Sequence, residues 1–410
     1  MSNETIKTAV PKLRFPEFRD KPEWSMPTLG EISEQVVKKI GDLSLPTVSI
    51  TAGTGFVLQS EKFGRDISGE QYKRYTLLKK GEFAYNKGNS KRFPEGCIYQ
   101  LKEFEQAATP NVFFSFRFKR HFFADFYQGY FDNNFHGKQL KKHITSGARS
   151  NGLLNISSKS FFSIVLPTPN DIAEQRKIAD CLSLLNDLVT ALSAKLLALQ
   201  KHKQGLMQGL FPAEGETVPK LRFPEFYEAG DWDVKPLGKV AKNLDNKRVP
   251  ITGSERTKGS IPYYGASGII DYVQDFIFDE ELLCISEDGA NLIARTYPIA
   301  FSITGKTWVN NHAHVIRFEK RFTQIIVENY LNAISLEDFL TGMAQPKLNR
   351  AKLDVIPIPL PKDEEEQKKI ADCLSSLNDH ITAQSKQIEA LKLHKKGLMQ
   401  VLFPTSTESN

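Results

Sequence analysis

The stretch EQRKIADCLSLLNDLVTALSAKLLALQKHKQGLMQGLFP runs from Glu174 to Pro212, and EQKKIADCLSSLNDHITAQSKQIEALKLHKKGLMQVLFP runs from Glu366 to Pro404. The two agree at 26 of 39 positions, which is repetition rather than chance. In the first copy, alternating steps of four and three land on Ile178, Leu182, Leu185, Val189, Leu192, Leu196, Leu199, Lys203, Leu206 and Leu210. In the second they land on Ile370, Leu374, Leu377, Ile381, Gln384, Ile388, Leu391, Lys395, Leu398 and Leu402. Only Lys203, Lys395 and Gln384 interrupt the apolar seam. Such a seam predicts a coiled-coil helix in each copy, a rod of roughly 55 Å. Prolines precede each helix, Asn170-Asp171 and Asp363 supply caps, and Leu-Phe-Pro ends both.

A second repeat lies outside the helices. VPKLRFPEF occurs at Val10–Phe18 and again at Val218–Phe226, each followed by a Trp (24, 232) and a Leu-Gly pair (29–30, 237–238). The offset is 208 here and 192 in the helices, so the second copy is shorter in its middle. Between Gly30 and Ser163 the copies cannot be matched by sequence. The chain is thus two tandem units with constant flanks and divergent centres. A coiled coil can simply dimerise a protein. With both helices in one chain, each after a globular segment, pairing within the chain is the favoured arrangement.

Composition narrows the classes. At 40% hydrophobic and 25% charged residues, the 410-residue chain reads as globular. No run of about 18 apolar residues is found, so no transmembrane helix is expected. The N-terminal residues show no secretory pattern, and the four Cys (97, 181, 284, 373) have no CxxC spacing. These features predict reduced thiols and a cytoplasmic protein. The net charge of +6 permits a polyanionic partner without requiring one.

In the first globular segment, NVFFSFRF (Asn111–Phe118) alternates like a half-buried strand, and the aromatic residues from Phe113 to Phe135 read as core. Residues 133–170 hold five Lys/Arg and no Asp or Glu. Two polar, glycine-bearing loops stand out there and upstream: YNKGNSKR, with Lys87, Asn89 and Arg92, and TSGARSNG, with Arg149 and Asn151. Arg and Lys donate to guanine and phosphate, and Asn pairs with adenine, so such loops suit nucleic acid; they equally suit ordinary solvated turns. In the second segment, Lys306, Trp308, Asn310 and Asn311 lie in GKTWVNNHAHVIRF, which reads as a strand after a polar tip. Gln345 and Lys347 lie in TGMAQPKLNRAK, at the place where the first copy has SGARSNGLLNIS.

Several catalytic patterns fail. AFSITGKT (Ala300–Thr307) lacks the leading Gly and the following helix of a phosphate loop. His312-x-His314 has no companion ligands at metal spacing, and a strand placing both on one face explains it better. No G-x-S-x-G or H-E-x-x-H occurs. No catalytic constellation is expected.

Together these residues resemble the specificity subunits of type I restriction-modification systems. The resemblance rests on two divergent centres alternating with two near-identical helices. It also rests on the helix entries LPTPNDIAEQRKIADCLSLLND and IPLPKDEEEQKKIADCLSSLND, on the bracketing VPKLRFPEF…W and GLMQGLFP, and on the closing SGARSNGLLNIS and QPKLN. It implies an α+β chain: two globular α/β target-recognition domains separated by two long helices that form an antiparallel intramolecular coiled coil with pseudo-two-fold symmetry. The divisions are 1–170 for the first recognition domain, 171–212 for the first helix, 213–361 for a linker and the second recognition domain, 362–404 for the second helix, and 405–410 for a tail. The resemblance further implies a non-catalytic subunit whose two domains each read half of a bipartite, asymmetric double-stranded DNA site, with the helices setting the gap. Two methylation subunits and, in the full complex, restriction subunits are the implied partners, with no membrane. No cofactor is expected on this chain; S-adenosylmethionine, ATP and Mg2+ belong to the partners. The residues alone also allow an adaptor carrying two unrelated binding domains on a rod.

Overall fold

The computed structural model describes residues 8–88, 93–144, 153–342 and 345–404. The chain forms two compact units: residues 1–191 with 388–410, and residues 192–387. The divisions between these units fall inside the two long helices. Each globular segment packs on the first half of the helix that follows it and on the last half of the other helix.

Four strands build the central sheet of unit 1: β1 (Ser33–Gln35), β2 (Phe83–Asn86), β3 (Cys97–Gln100) and β4 (Phe114–Phe118), in the order β1-β4-β2-β3. Helix α1 (Ala124–Asp132) covers it, followed in sequence by the long helix α2 (Ile172–Leu210). Unit 2 has β5 (Lys242–Asn243), β6 (Leu282–Ser286), β7 (Ala300–Ile303) and β8 (Ala313–Arg317) in the corresponding order β5-β8-β6-β7. Helix α3 (Arg321–Ala333) packs beside β7, and the long helix α4 (Glu364–Leu402) closes the chain. Register aligns the centres that sequence could not. Phe116 faces Phe83 and Phe114 faces Tyr85 in unit 1; Ile316 faces Leu283 and His314 faces Ile285 in unit 2. Phe114 and His314 are therefore equivalent, and so are Lys87 and Glu287, each two residues beyond Tyr85 or Ile285.

The aromatic run is core. Phe116, Phe126, Tyr127, Tyr130 and Phe131 are buried with Phe83 and Trp24, and Phe83 stacks on Phe116 with centroids 5.4 Å apart. The stretch read as one strand after a polar tip is instead two strands in different sheets. Lys306–Val309 pairs with Lys258–Gly265, whereas β8 pairs with β6. The Ala300–Thr307 segment turns at Gly305 (φ 69°) between two strands, so the helix a phosphate loop needs is absent from these described residues.

The nine repeated residues staple each unit. Arg14 Nε and Nη2 donate to the two carboxylate oxygens of Glu174, both at 2.7 Å. Arg222 makes the same fork to Glu366, again at 2.7 Å twice. Meanwhile Leu13 N–H donates to Val401 at the end of α4 (3.0 Å), and Leu221 N–H donates to Gly209 at the end of α2 (2.8 Å). Each copy of the motif thus ties the start of one long helix to the end of the other. The terminal Leu-Phe-Pro supplies the plug: Phe403 packs on Phe126 and Tyr130 in unit 1, Phe211 on Trp232 and Tyr330 in unit 2.

Every seam position named above is buried or half-buried. In unit 1, Leu182 shares a core with Leu402, and Lys395 Nζ donates to Asn186 at 2.6 Å, so the helix segments run antiparallel there. In unit 2, Met207 and Leu210 share a core with Ile370 and Leu374. One expectation needs correction. Helix α2 does contain an 18-residue window long and apolar enough to cross a membrane, with mean hydropathy 1.5. Counting uninterrupted apolar residues missed it, because scattered Ser, Asn and Thr break the run without making it hydrophilic. The excess lies on the outer face, where Leu184, Leu188 and Leu197 are exposed; the equivalent residues of α4 are Ser376, His380 and Glu389. Both ends of α2 are built into globular cores, at Ile178 and Leu182 and at Met207 and Leu210.

Candidate nucleic-acid interface

In unit 1 the described residues that border the two predicted loops lie side by side. Gly88, which precedes one, is bridged to Leu153, which follows the other, and Leu154 N–H donates to the Lys87 carbonyl at 2.9 Å. Lys87 is half-buried, with Nζ 4.6 Å from the Phe114 ring centroid. Asn89, Arg92, Arg149 and Asn151 lie outside the described residues. Lys138, Lys141 and Lys142 are exposed on the segment leading to the second loop.

Unit 2 repeats the connection. Asp288 is bridged to Lys347, and Leu348 N–H donates to the Glu287 carbonyl at 2.8 Å. The loop carrying Gln345 and Lys347 is therefore the counterpart of the one carrying Arg149 and Asn151 in sequence. Thr341 and Lys347 exchange backbone hydrogen bonds of 2.8 Å, closing its base, and Gly289 N–H donates to the Pro346 carbonyl at 3.1 Å. Gln345, Lys347 and Asn311 are exposed. Lys347 Nζ lies 3.3 Å from Glu287, so part of its charge is neutralised.

The other nominated residues of unit 2 divide. Lys306 is exposed, with Nζ 4.7 Å from the Phe276 ring centroid. Trp308 is half-buried, and its indole N–H donates to the Val249 carbonyl at 2.7 Å, so only the ring is offered outward. Asn310 is a correction. It is buried, and its side-chain oxygen accepts the His312 N–H at 2.8 Å, forming the turn rather than facing a ligand.

Beneath these loops lies a charged network that the sequence did not announce. The His314 ring is buried in unit 2: Nδ1 meets Asp245 Oδ2 at 2.6 Å and Nε2 meets the Leu348 carbonyl at 2.7 Å. Arg248 donates to Glu287 (2.7 Å) and to the Ala313 carbonyl (2.9 Å), and lies 3.4 Å from Asp245. Burial alone drives the Asp245 carboxyl upward. The His314 hydrogen bond and charge, the Val315 N–H and Arg248 outweigh it and hold the group below the usual range. Asp245, Glu287 and His314 bring their polar atoms within 4.8 Å, a spacing a metal ion would tolerate. Arg248 already supplies the cation to both carboxylates, and His314 spends Nε2 on a carbonyl, so the cluster is an ion-pair network. Its members come from positions 245 to 348, and the only local signal is the Asp245-x-x-Arg248 spacing. His312 and His314 do not share an environment: His312 is exposed beside Asp288, His314 buried.

A family model described as the type I restriction modification DNA specificity domain matches residues 229–393. A putative type I restriction enzyme MjaX specificity subunit of Methanocaldococcus jannaschii is 26% identical over 389 residues, 91% of this chain and 89% of that one. Residues 229–393 thus match a type I specificity domain, and the likeness to a type I specificity subunit runs along 91% of the chain. A putative type I specificity subunit of Haemophilus influenzae is 38% identical over 152 residues, 37% of this chain; the match spans only 39% of that relative. The crystal structure of a type I system S subunit from M. genitalium shares the fold, with a TM-score of 0.65 at 14% identity over 97% of this chain and all of that one.

Proposed function

We propose that the chain is a specificity subunit whose two units each read one half of a bipartite, asymmetric double-stranded DNA site. The observation that carries this reading is the pairing of one frame with two chemistries. The sheet order, staple and loop connection are the same in both units. At matching places, however, unit 1 has Lys87 over Phe114 whereas unit 2 has Glu287 beside a buried His314. Exposed Lys and amide side chains on loops closed by backbone pairing suit phosphate and base edges. The long helices act as the spacer. Their outer residues, including exposed Leu184 and Leu188, give two methylation subunits a docking face. Restriction subunits join in the full complex, and S-adenosylmethionine, ATP and Mg2+ act on those partners.

The test is to purify the chain with its methylation subunits, incubate the complex with random DNA and S-adenosylmethionine, and map modified adenines. Two fixed, unlike half-sites at a constant gap are expected. Modification without sequence preference, or with a single continuous site, refutes the reading.

A further inference from the structure

The His314 ring faces two acceptors and no donor. A carboxylate lies 2.6 Å from Nδ1 and a backbone carbonyl 2.7 Å from Nε2. A neutral imidazole has one N–H, so either tautomer would aim a lone pair at an oxygen in a buried site. The arrangement is satisfied only when both nitrogens carry hydrogen. The surrounding charges agree. Asp245 and Arg248 come from the segment after β5, Glu287 and Asp288 from the turn after β6, His312 from the turn before β8, and Lys347 from the loop. Cys284 on β6 is also close, but burial pushes its thiol up and keeps it neutral. Asp245 and Glu287 face Arg248 and the His314 ring, Lys347 lies beside Glu287, and Asp288 faces His312.

We propose that His314, as an imidazolium, is the positioning residue for the Gln345–Lys347 loop of unit 2. Its Nε2–H holds the Leu348 carbonyl, the residue on which that loop closes, while its Nδ1–H is anchored on Asp245. Asp245 in turn accepts the Val315 N–H of β8 at 2.9 Å, so the ring links the loop to the sheet. Leu348 itself is fully buried, which makes its carbonyl a firm point of attachment. The exposed side chains of Gln345 and Lys347 are thus placed by a buried group that touches no ligand. Unit 1 has Phe114 at the equivalent position, so this control belongs to one half-site only.

The inference rests on the DNA-reading function proposed above, and two measurements separate the two claims. Nitrogen-15 spectra of the full chain, labelled at its eight histidines, are recorded near pH 7.5. The His314 imidazole is expected with both nitrogens protonated, a signal absent from the His314→Phe spectrum. A neutral His314 overturns the proposal without touching the functional reading. Next, His314→Phe and His314→Gln chains are assembled with methylation subunits and their modified sites mapped. About a tenfold loss of discrimination is expected at the half-site of unit 2, as suits loss of a charge-assisted hydrogen bond. The half-site of unit 1 should stay unchanged and serves as the folding control. Glutamine, with one donor for Leu348, should retain more discrimination than phenylalanine. An unchanged second half-site in both variants overturns the positioning role. A wild-type complex with no bipartite preference overturns the functional reading and the role together.

Discussion

Arg222→Met should unfold unit 2 at far lower denaturant than wild type, and Arg14→Met should do the same, less severely, to unit 1. The side chains in each fork are almost wholly covered, 9% and 1% exposed for Arg14 and Glu174, 7% and 1% for Arg222 and Glu366. Screening by solvent is therefore small, unlike at a surface pair. Methionine keeps the apolar stem and removes the guanidinium, which leaves a buried carboxylate without its cation. Stranding one partner of a buried pair costs about 3–5 kcal/mol. The copies differ in what remains. Trp24 Nε1 donates to Glu174 at 3.1 Å, whereas Trp232 Nε1 has no hydrogen-bond partner among the described residues. A hydrogen bond to a charged group contributes about 1.5–3 kcal/mol. Glu174 keeps that donor and Glu366 has no equivalent, so the loss in unit 2 should exceed the loss in unit 1 by roughly 1–2 kcal/mol.

The assay needs a probe in each unit, because a chain of two units need not unfold in one step. The protein has three tryptophans, Trp24 in unit 1 and Trp232 and Trp308 in unit 2. Fluorine-19 spectra of 5-fluorotryptophan-labelled chain, followed through a urea series, report each unit separately. Losses under about 1 kcal/mol in both variants would refute the buried-clasp argument, since that is the range of a solvated pair. Equal losses in the two units would refute the part assigned to Trp24. The double replacement Arg222→Met/Glu366→Leu should recover most of the loss, because an apolar pair leaves no stranded charge.

Other outcomes follow from the same structure. His136 is fully buried, and burial pulls its ring from the ordinary 6.5 down to about 4. Between those values the unfolded chain is protonated and the folded one is not, so stability is full above about pH 6.5 and is lost as pH falls towards 4, on the order of 3 kcal/mol in all; His136→Leu should flatten that part of a pH–denaturation profile. Replacing Gln345 and Lys347 together by Ala should weaken selection at one half-site by about 1–3 kcal/mol per lost base contact, as read from mapped methylation sites; unaltered sites would remove both from the interface. Exchanging Phe223–Pro361 for the same segment of a relative should change one half-site only, and a change in both would refute modular reading. Adding four residues to both long helices lengthens each by about 6 Å, so the gap should grow by about two base pairs at 3.4 Å each, and an unchanged gap in an active complex would sink the spacer role.

The place for that insertion shows how far sequence reached. Lys203 and Lys395 interrupt the seam, which marks them in sequence as tolerant sites. In the structure Lys395 is bonded to Asn186, and Lys203 is desolvated near Glu328, so both lie inside packed units. Positions 191–192 and 387–388, where the units divide, are the better choice. The helices were legible because a seam of apolar residues is a local pattern with a fixed period. The staple was legible as a repeat but not as a contact, because Arg14 and Glu174 are 160 residues apart and nothing local links them. The divergent centres defeated alignment for a related reason. Their equivalence lies in backbone register, which Phe114 and His314 share while sharing no chemistry. Exposed loop residues such as Gln345 and Lys347 could be named from type and setting. Asn310 could not be told from them, because an Asn that forms a turn and an Asn that meets a ligand occupy the same kind of polar, turn-rich sequence.

The sequence pattern of constant flanks and free centres has a physical basis in where the frame places its energy. The Arg–Glu fork, the Leu-Phe-Pro plug and the helix seam all lie on the side where each sheet meets the long helices. These interactions are buried, and a change to any one of them strands a charge or opens a cavity. At the connection between residues 87–88 and 153–154 or 287–288 and 347–348, the frame is held by backbone hydrogen bonds. Backbone pairing is compatible with different side chains, so the connection persists where unit 1 has Lys87 and Phe114 and unit 2 has Glu287 and His314, while the placement of the loop beyond it depends on the residues beneath. Replacing Phe114 by a histidine is still costly unless acceptors arrive with it, because an unpaired imidazole would be half-buried among aromatic rings. Unit 2 meets that condition with Asp245 and the Leu348 carbonyl. A recognition surface of this kind therefore changes in linked sets. His314, Asp245, Arg248 and Glu287 form one such set, and transplanting the exposed loop of unit 2 without them should carry its side chains but not their placement.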